Sequence, residues 1–314
     1  MSVKTNYCHL ESVNNEKDRS FGTSASFPSV DWISIFDLMH QITARKTEEC
    51  IRVEAISVMN LILMKTKFSS EREMFGVMAL FESISRLLRK EVGSRVQEQA
   101  VHLLFLLLNC PKLLVKFCIR DEDNMEDGEV DRAQKDTSTF QGVFSGILEG
   151  LAECVICAGN GIQEMKLRRR AVIILAFIAS SGKSGFEFFL SSRTPQGVNF
   201  LELVIRALAM ETETETSGLA ETQDICKERH LFMREVLILL NRLASNPIYA
   251  TAVLGALTSS KATLGLTIDV MKRMSRKGRF YDGLKEPQES ELVDLAHSFI
   301  TRILSFLGEC LLKG

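Results

Sequence analysis

Cys154 and Cys157 form the one CxxC pair in the chain, the spacing closest to a metal or redox site. A structural zinc centre needs about four ligands, commonly two such pairs or one pair with two histidines. No second pair exists, and the five histidines, at 9, 40, 102, 230 and 297, are dispersed without an HExxH. Thioredoxin-type exchange needs a strand-helix-strand setting, whereas the residues around this pair read as helix. The two cysteines therefore read as buried helical thiols, and His102, which interrupts an apolar face, as a core or groove residue rather than a general base. The phosphate-cradling GxxxxGK[ST] loop, the dinucleotide GxGxxG and the nucleophile GxSxG are all missing from the sequence. The expectation is a protein with no catalytic residue, no metal and no cofactor.

Two basic clusters remain. Lys166, Arg168, Arg169 and Arg170 open one apolar helix, and Lys272, Arg273, Arg276, Lys277 and Arg279 lie in MKRMSRKGR ahead of Phe280 and Tyr281. Cations near a helix terminus ordinarily sit in water, and at the C-terminal end they complement the macrodipole. The functional alternative is a docking surface for an acidic partner or nucleic acid, and the second cluster is the stronger candidate because five cations sit beside two aromatics. Thr222-Gln223 is the minimal target of checkpoint-type kinases, which makes Thr222 a candidate phosphorylation site. A net charge of -2 argues against a chain built chiefly to neutralise nucleic-acid phosphates.

These residues must be positioned by helices. The phrase AVHLLFLLLNCP from Ala100 aligns with VLILLNRLASNP from Val236, with AVIILAFIASSG from Ala171 and, more loosely, with AISVMNLILMKT from Ala55. Each copy is a nearly continuous apolar helix closed by polar or helix-breaking residues. Setting aside two acidic stretches read as loop insertions leaves a period of roughly 40 to 50 residues, the range of armadillo and HEAT units. Such a unit cannot bury its apolar face alone, so neighbours must stack around one continuous core. The fold class expected is all-α: an armadillo/HEAT-like α-solenoid, a superhelix of stacked helices.

An apolar fraction of 46% and a charged fraction of 25% are those of a globular protein. The longest uninterrupted apolar run, Ala171 to Ala179, falls well short of the roughly twenty residues that cross a bilayer, and the first residues lack the apolar core of a secretory signal. Eight scattered cysteines, mostly inside apolar helical phrases, point to free thiols in a reducing compartment. Residues 1–28 are polar and read as a disordered tail, and 29–314 as the repeat domain. Acidic disordered inserts are expected at about 120–138 and 211–228. Gly142, Gly146 and Gly150 recur every four residues, a pattern usually tolerated within a packed helix but one that also lets a second helix approach closely.

The phrases EVLILLNRLASNPIYATAVLGALTSS (235–260) and RRRAVIILAFIASSGKSGFEFFL (168–190) resemble the C-terminal helical-repeat region of plant ATR-interacting proteins of the Sensitive-to-UV type. The resemblance covers about residues 30–312. It implies a non-enzymatic nuclear scaffold that partners the ATR checkpoint kinase, reaches single-stranded DNA indirectly through other proteins, and supports arrest and repair after damage. Family members carry an acidic recruitment motif and a coiled coil ahead of the repeats. Residues 1–28 here carry neither, so the resemblance is to the kinase-contacting part, with a shortened form or partial gene model as the expected reason. The competing reading is a generic armadillo-like adaptor in trafficking, transcription or protein turnover.

Overall fold

The computed structural model describes residues 31–45, 47–65, 77–118, 133–157, 159, 161–182, 185–186, 189–190, 197, 199–216, 222–277 and 287–313. No strand occurs among them. The helices are α1 (Trp32–Ala44), α2 (Glu49–Lys65), α3 (Val77–Leu87), α4 (Ser94–Leu108), α5 (Pro111–Cys118) and α6 (Ala133–Val155). They continue as α7 (Ile162–Ala179), α8 (Phe200–Thr216), α9 (Gln223–Ser245), α10 (Ala250–Thr258), α11 (Lys261–Lys277) and α12 (Pro287–Lys313).

The long helices form two rows. In one, α2 packs on α4, α4 on α7, α7 on α9 and α9 on α12; in the other, α1 meets α3, α3 meets α6, α6 meets α8 and α8 meets α11. The rows are joined by sequence neighbours: α1 on α2, α3 on α4, α6 on α7, α8 on α9 and α11 on α12. The four copies of the apolar phrase are successive members of the first row. A helix there is covered from two sides by its row neighbours and from a third by the other row, which is why these segments are apolar nearly all round. Residues 32–314 make one compact unit.

The register of the phrase holds at the level of single side chains. Its first, fourth, fifth and eighth positions are Ala100, Leu103, Leu104 and Leu107 in α4 and Ala171, Ile174, Leu175 and Ile178 in α7, all buried. A fifth copy, AHSFITRILSFL from Ala296 in α12, obeys the same rule with Ala296, Phe299, Ile300 and Ile303. Thr301 and Arg302 break its apolar run, which hides it in the sequence. At the sixth position Asn60 of α2 donates its amide to the Gln99 carbonyl at 3.2 Å, and Asn241 of α9 donates to the Leu295 carbonyl at 3.0 Å. Gln99 and Leu295 each immediately precede the next row helix's copy, so the same amide bond ties successive helices at both places.

Row neighbours, not residue type, decide exposure at the two ends. Ile51 lies four residues before its copy and is 45% exposed, whereas the equivalents Val96, Leu167, Phe232 and Leu292 are buried. At the other end Leu304, ninth in its copy, is 52% exposed, whereas Leu63, Leu108, Ala179 and Ala244 are buried.

The breaks after the phrases lead into short helices. Pro111 opens α5, where a missing N–H costs nothing because the first helical donors have no partner in the helix. Asn246 ahead of Pro247 accepts from the backbone N–H groups of Ile248 at 3.0 Å and Tyr249 at 3.3 Å before α10 starts. Gly182 stands where the prolines stand and turns the chain at φ +106°.

The glycine row in α6 is a place of close approach. A Cβ at Gly150 would lie 2.4 Å from the Leu88 Cβ, and one at Gly146 would lie 3.3 Å from the Ser85 Cβ, while Gly142 faces open space. The expectation of merely tolerated glycines therefore fails at two of three positions, because α3 packs against this stripe. Gly150→Ala gains about 1 kcal/mol in helix propensity but overpacks a contact with an atom bonded to backbone, which typically costs about 1–3 kcal/mol. A lower urea midpoint is expected, and an unchanged or higher one would show that α3 and α6 can separate freely.

The acidic segments differ from expectation wherever they are described. Glu211–Thr216 close α8 and 223–228 open α9, with 217–221 outside the described residues; Glu211 itself is buried. Residues 133–138 belong to α6, and 119–132 lie outside the described residues, as does the expected tail at 1–28. High acid content marked these stretches as solvated, but a carboxylate with two guanidinium partners is stable inside. Among the described residues no single helix is long and apolar enough to cross a membrane; α9 and α10 pass that test only as a pair, bent by 117°.

Candidate interaction face

The first basic cluster is structural. Arg168 on α7 is 1% exposed. Its Nε donates to the Val155 carbonyl at 3.0 Å, its Nη1 donates to Glu211 Oε1, and its guanidinium lies 4.8 Å from the centre of the Phe232 ring. Arg229 on α9 donates from Nε to the other Glu211 oxygen at 2.8 Å. Three consecutive helices, α7, α8 and α9, thus meet at one buried carboxylate between two guanidinium groups. Arg169 pairs with Glu228 at 3.0 Å, and Arg170 reaches Glu98 on α4 at 2.8 Å. Neither a solvated face nor a docking surface describes Arg168–Arg170: their charges are matched inside the protein.

The second cluster is partly matched. Arg273 on α11 is held by Asp269 one turn earlier and by Glu213 at 3.5 Å, and Lys272 is exposed. Arg276 and Lys277 lie in the last turn of α11, and Arg279 lies outside the described residues. Thr222 is exposed and takes the cap position of α9 in an extended conformation, with no side-chain cap bond.

Cys154 is buried in α6 and its thiol donates to the Leu88 carbonyl at 3.9 Å. Burial pushes this thiol far above its usual range, and burial also raises Cys157, so both stay protonated and poorly nucleophilic. Among the described residues no group of three His, Cys, Asp or Glu gathers that would hold a metal ion. His40 meets Ser83 Oγ at 2.7 Å, and burial holds its pKa below the usual value. Burial, followed by the nearby Arg170 charge, does the same for His102.

A graded surface runs along the first row. Positions three, seven and ten of each phrase are at least partly exposed, with Leu106 the exception. The seventh positions are, in row order, Leu61, Leu106, Phe177, Arg242 and Arg302. Leu61 is half exposed, Leu106 is closed over, and Phe177 is half-buried beside Phe105 at 6.2 Å between ring centres. His102, third in its copy, is half-buried, with its pKa held below the usual value for the reason just given. Arg242 and Arg302, on the adjacent helices α9 and α12, are exposed and make no ion pair among the described residues. Their own face positions carry serine or isoleucine and no carboxylate.

Open surface depressions flank Arg242 on both sides. One of about 270 Å³ lies toward α7, beside the Phe186–Tyr249 pair, which is stacked at 4.1 Å and 17°. Another of about 400 Å³ lies toward α12, with Ile238, Asn241 and Leu295 in its wall. Sequence reading missed Arg242 and Arg302 because neither belongs to a basic run. The signal was present as two arginines at one phrase position, where the earlier copies are apolar, and it became legible once the fifth copy was aligned.

The described residues fold as twelve α-helices in two rows, an all-α arrangement. A family model described as SUV2 middle domain matches residues 41–157, and one described as SUV2 C-terminal domain matches 164–312. The chain belongs to the SUV2 family. Protein SENSITIVE TO UV 2 of Arabidopsis thaliana is 40% identical over 284 residues, which cover 89% of this chain and 44% of that protein. The chain thus spans less than half of that relative's length. A chain of the solved SYS-1/POP-1 complex is similar at a TM-score of 0.48 and 10% identity, covering 87% of this chain and 48% of that one. The boundary between the two family models falls between α6 and α7, yet α4 packs on α7 across it and Arg170 reaches Glu98. The middle and C-terminal parts therefore share one core.

Proposed function

We propose that this chain is a non-enzymatic α-solenoid scaffold of the DNA-damage response, acting in the nucleus as a partner of the ATR checkpoint kinase. The observation that carries the reading is membership of the SUV2 family, whose Arabidopsis relative is named for sensitivity to UV. Serial packing of equivalent helices supports the solenoid: each row helix repeats the register of the one before, as expected of a quasi-one-dimensional array. Such arrays present long surfaces to partners, and a kinase built of large helical elements is a suitable client. Contact with single-stranded DNA is indirect, through other proteins.

The test is co-purification of the tagged chain with the kinase from damaged nuclei, alongside unbiased mass spectrometry of all captured proteins. Enrichment of the kinase with replication and checkpoint proteins is the expected result. Recovery of coat, ligase or transcription subunits without the kinase, from a chain with intact helical circular dichroism, would replace this reading with that of a generic adaptor.

A further inference from the structure

We infer that the graded face of the first row binds one extended segment of a partner protein, apolar at one end and acidic at the other. The inference rests on the reading of this chain as a protein-binding scaffold and specifies what the scaffold recognises. Equivalent positions on successive helices lie about 8–10 Å apart, close to the span of three residues of extended chain. A segment crossing the row meets Leu61 and Phe177 first and the two guanidinium groups last.

Charge complementarity selects the occupant. Among the described residues Arg242 and Arg302 are exposed and make no ion pair, in contrast to Arg168, Arg169, Arg170, Arg234 and Arg273, whose carboxylates are supplied from within. A guanidinium presents a planar fork that fits a carboxylate through two parallel hydrogen bonds. The open depressions on either side of Arg242 are each of a size to seat an apolar side chain next to the acidic one. A nucleic acid would offer one phosphate per nucleotide and needs a longer cationic track than two arginines provide. It would also leave the exposed Leu61 and Met64 and the half-buried Phe177 without an apolar partner. A basic segment is disfavoured by charge, since its lysines would face Arg242 and Arg302.

Fluorescence anisotropy with the full chain tests this. The probes are fluorescein-labelled fifteen-residue peptides with a leucine-rich half followed by an aspartate- and glutamate-rich half. Controls replace the acids with lysine or the leucines with serine. The acidic-apolar peptide should bind, and both controls should bind at least about tenfold more weakly at low salt. Arg242→Glu combined with Arg302→Glu should weaken the acidic-apolar peptide by at least about tenfold, with unchanged thermal melting because both side chains are exposed. Leu61→Ser should weaken it independently. Lysine-bearing peptides that bind equally well, or a double reversal without effect, would overturn the inference. So would tighter binding of an oligo-thymidine strand than of the peptide. Peptide binding that appears only after deletion of Glu122–Asp131 would assign the face to the chain's own acidic stretch and remove the external occupant. Loss of peptide recognition with kinase co-purification retained would discard this inference alone; peptide recognition without the kinase would discard only the proposed function.

Discussion

Glu211→Ala should destabilise the protein by about 3–5 kcal/mol, because it leaves the buried Arg168 and Arg229 guanidinium groups without their shared counter-charge. The Arg168 cation would keep only the Val155 carbonyl, the Met165 sulfur and the face of Phe232. A cation above an aromatic ring compensates part of a lost carboxylate but not all of it. Glu211→Gln keeps the shape and removes the charge, so it should recover only a fraction of the loss. Simultaneous replacement of the three residues by Met, Leu and Met removes every buried charge together and should fold more stably than Glu211→Ala, as apolar replacement of whole buried ion clusters often does. Urea unfolding followed by circular dichroism measures all three. Stability of Glu211→Ala within about 1 kcal/mol of the parent would mean that solvent reaches the pair and that the triad is not a tie between α7, α8 and α9.

The second large effect concerns the fifth phrase position. Leu104, Leu175 and Leu240 are each 0% exposed in α4, α7 and α9. Truncation of any one to alanine removes buried methyl groups and leaves a cavity in the shared wall between row neighbours, at a cost of about 2–5 kcal/mol. The informative control is a pair of leucines at the ninth position. Leu108→Ala should fall in the same range, whereas Leu304→Ala, at an exposed site, should stay within about 0.5 kcal/mol of the parent. Equal effects of Leu108→Ala and Leu304→Ala would contradict the row arrangement, because sequence position alone makes them equivalent.

The array was legible in the sequence to the extent that it is written in repeated apolar phrases. Four copies aligned on Pro111, Pro247 and Gly182 placed α2, α4, α7 and α9, and the proline breaks placed the ends of α4 and α9. The fifth copy escaped because Thr301 and Arg302 interrupt it, and those positions can be polar only because the row offers them water. The candidate face escaped with it: Arg242 gains meaning only when Arg302 is seen to occupy the same place on the next helix.

Local pattern determined helix type, the phrase register and the character of each helix as buried or amphipathic, since these follow from which side chains recur every three or four residues. Tertiary structure alone decided what each charge does. Arg168 opens a basic run that suggests a solvated or docking surface, yet it meets Glu211 from 43 positions away, whereas the isolated Arg242 meets solvent. It likewise decided that Glu211 belongs to the core and that Gly150 is a contact point and not a tolerated gap. The physical reason is range: helix periodicity acts over a few residues, whereas the energy of a buried charge or a close helix crossing is set by groups that only folding brings within a few ångströms.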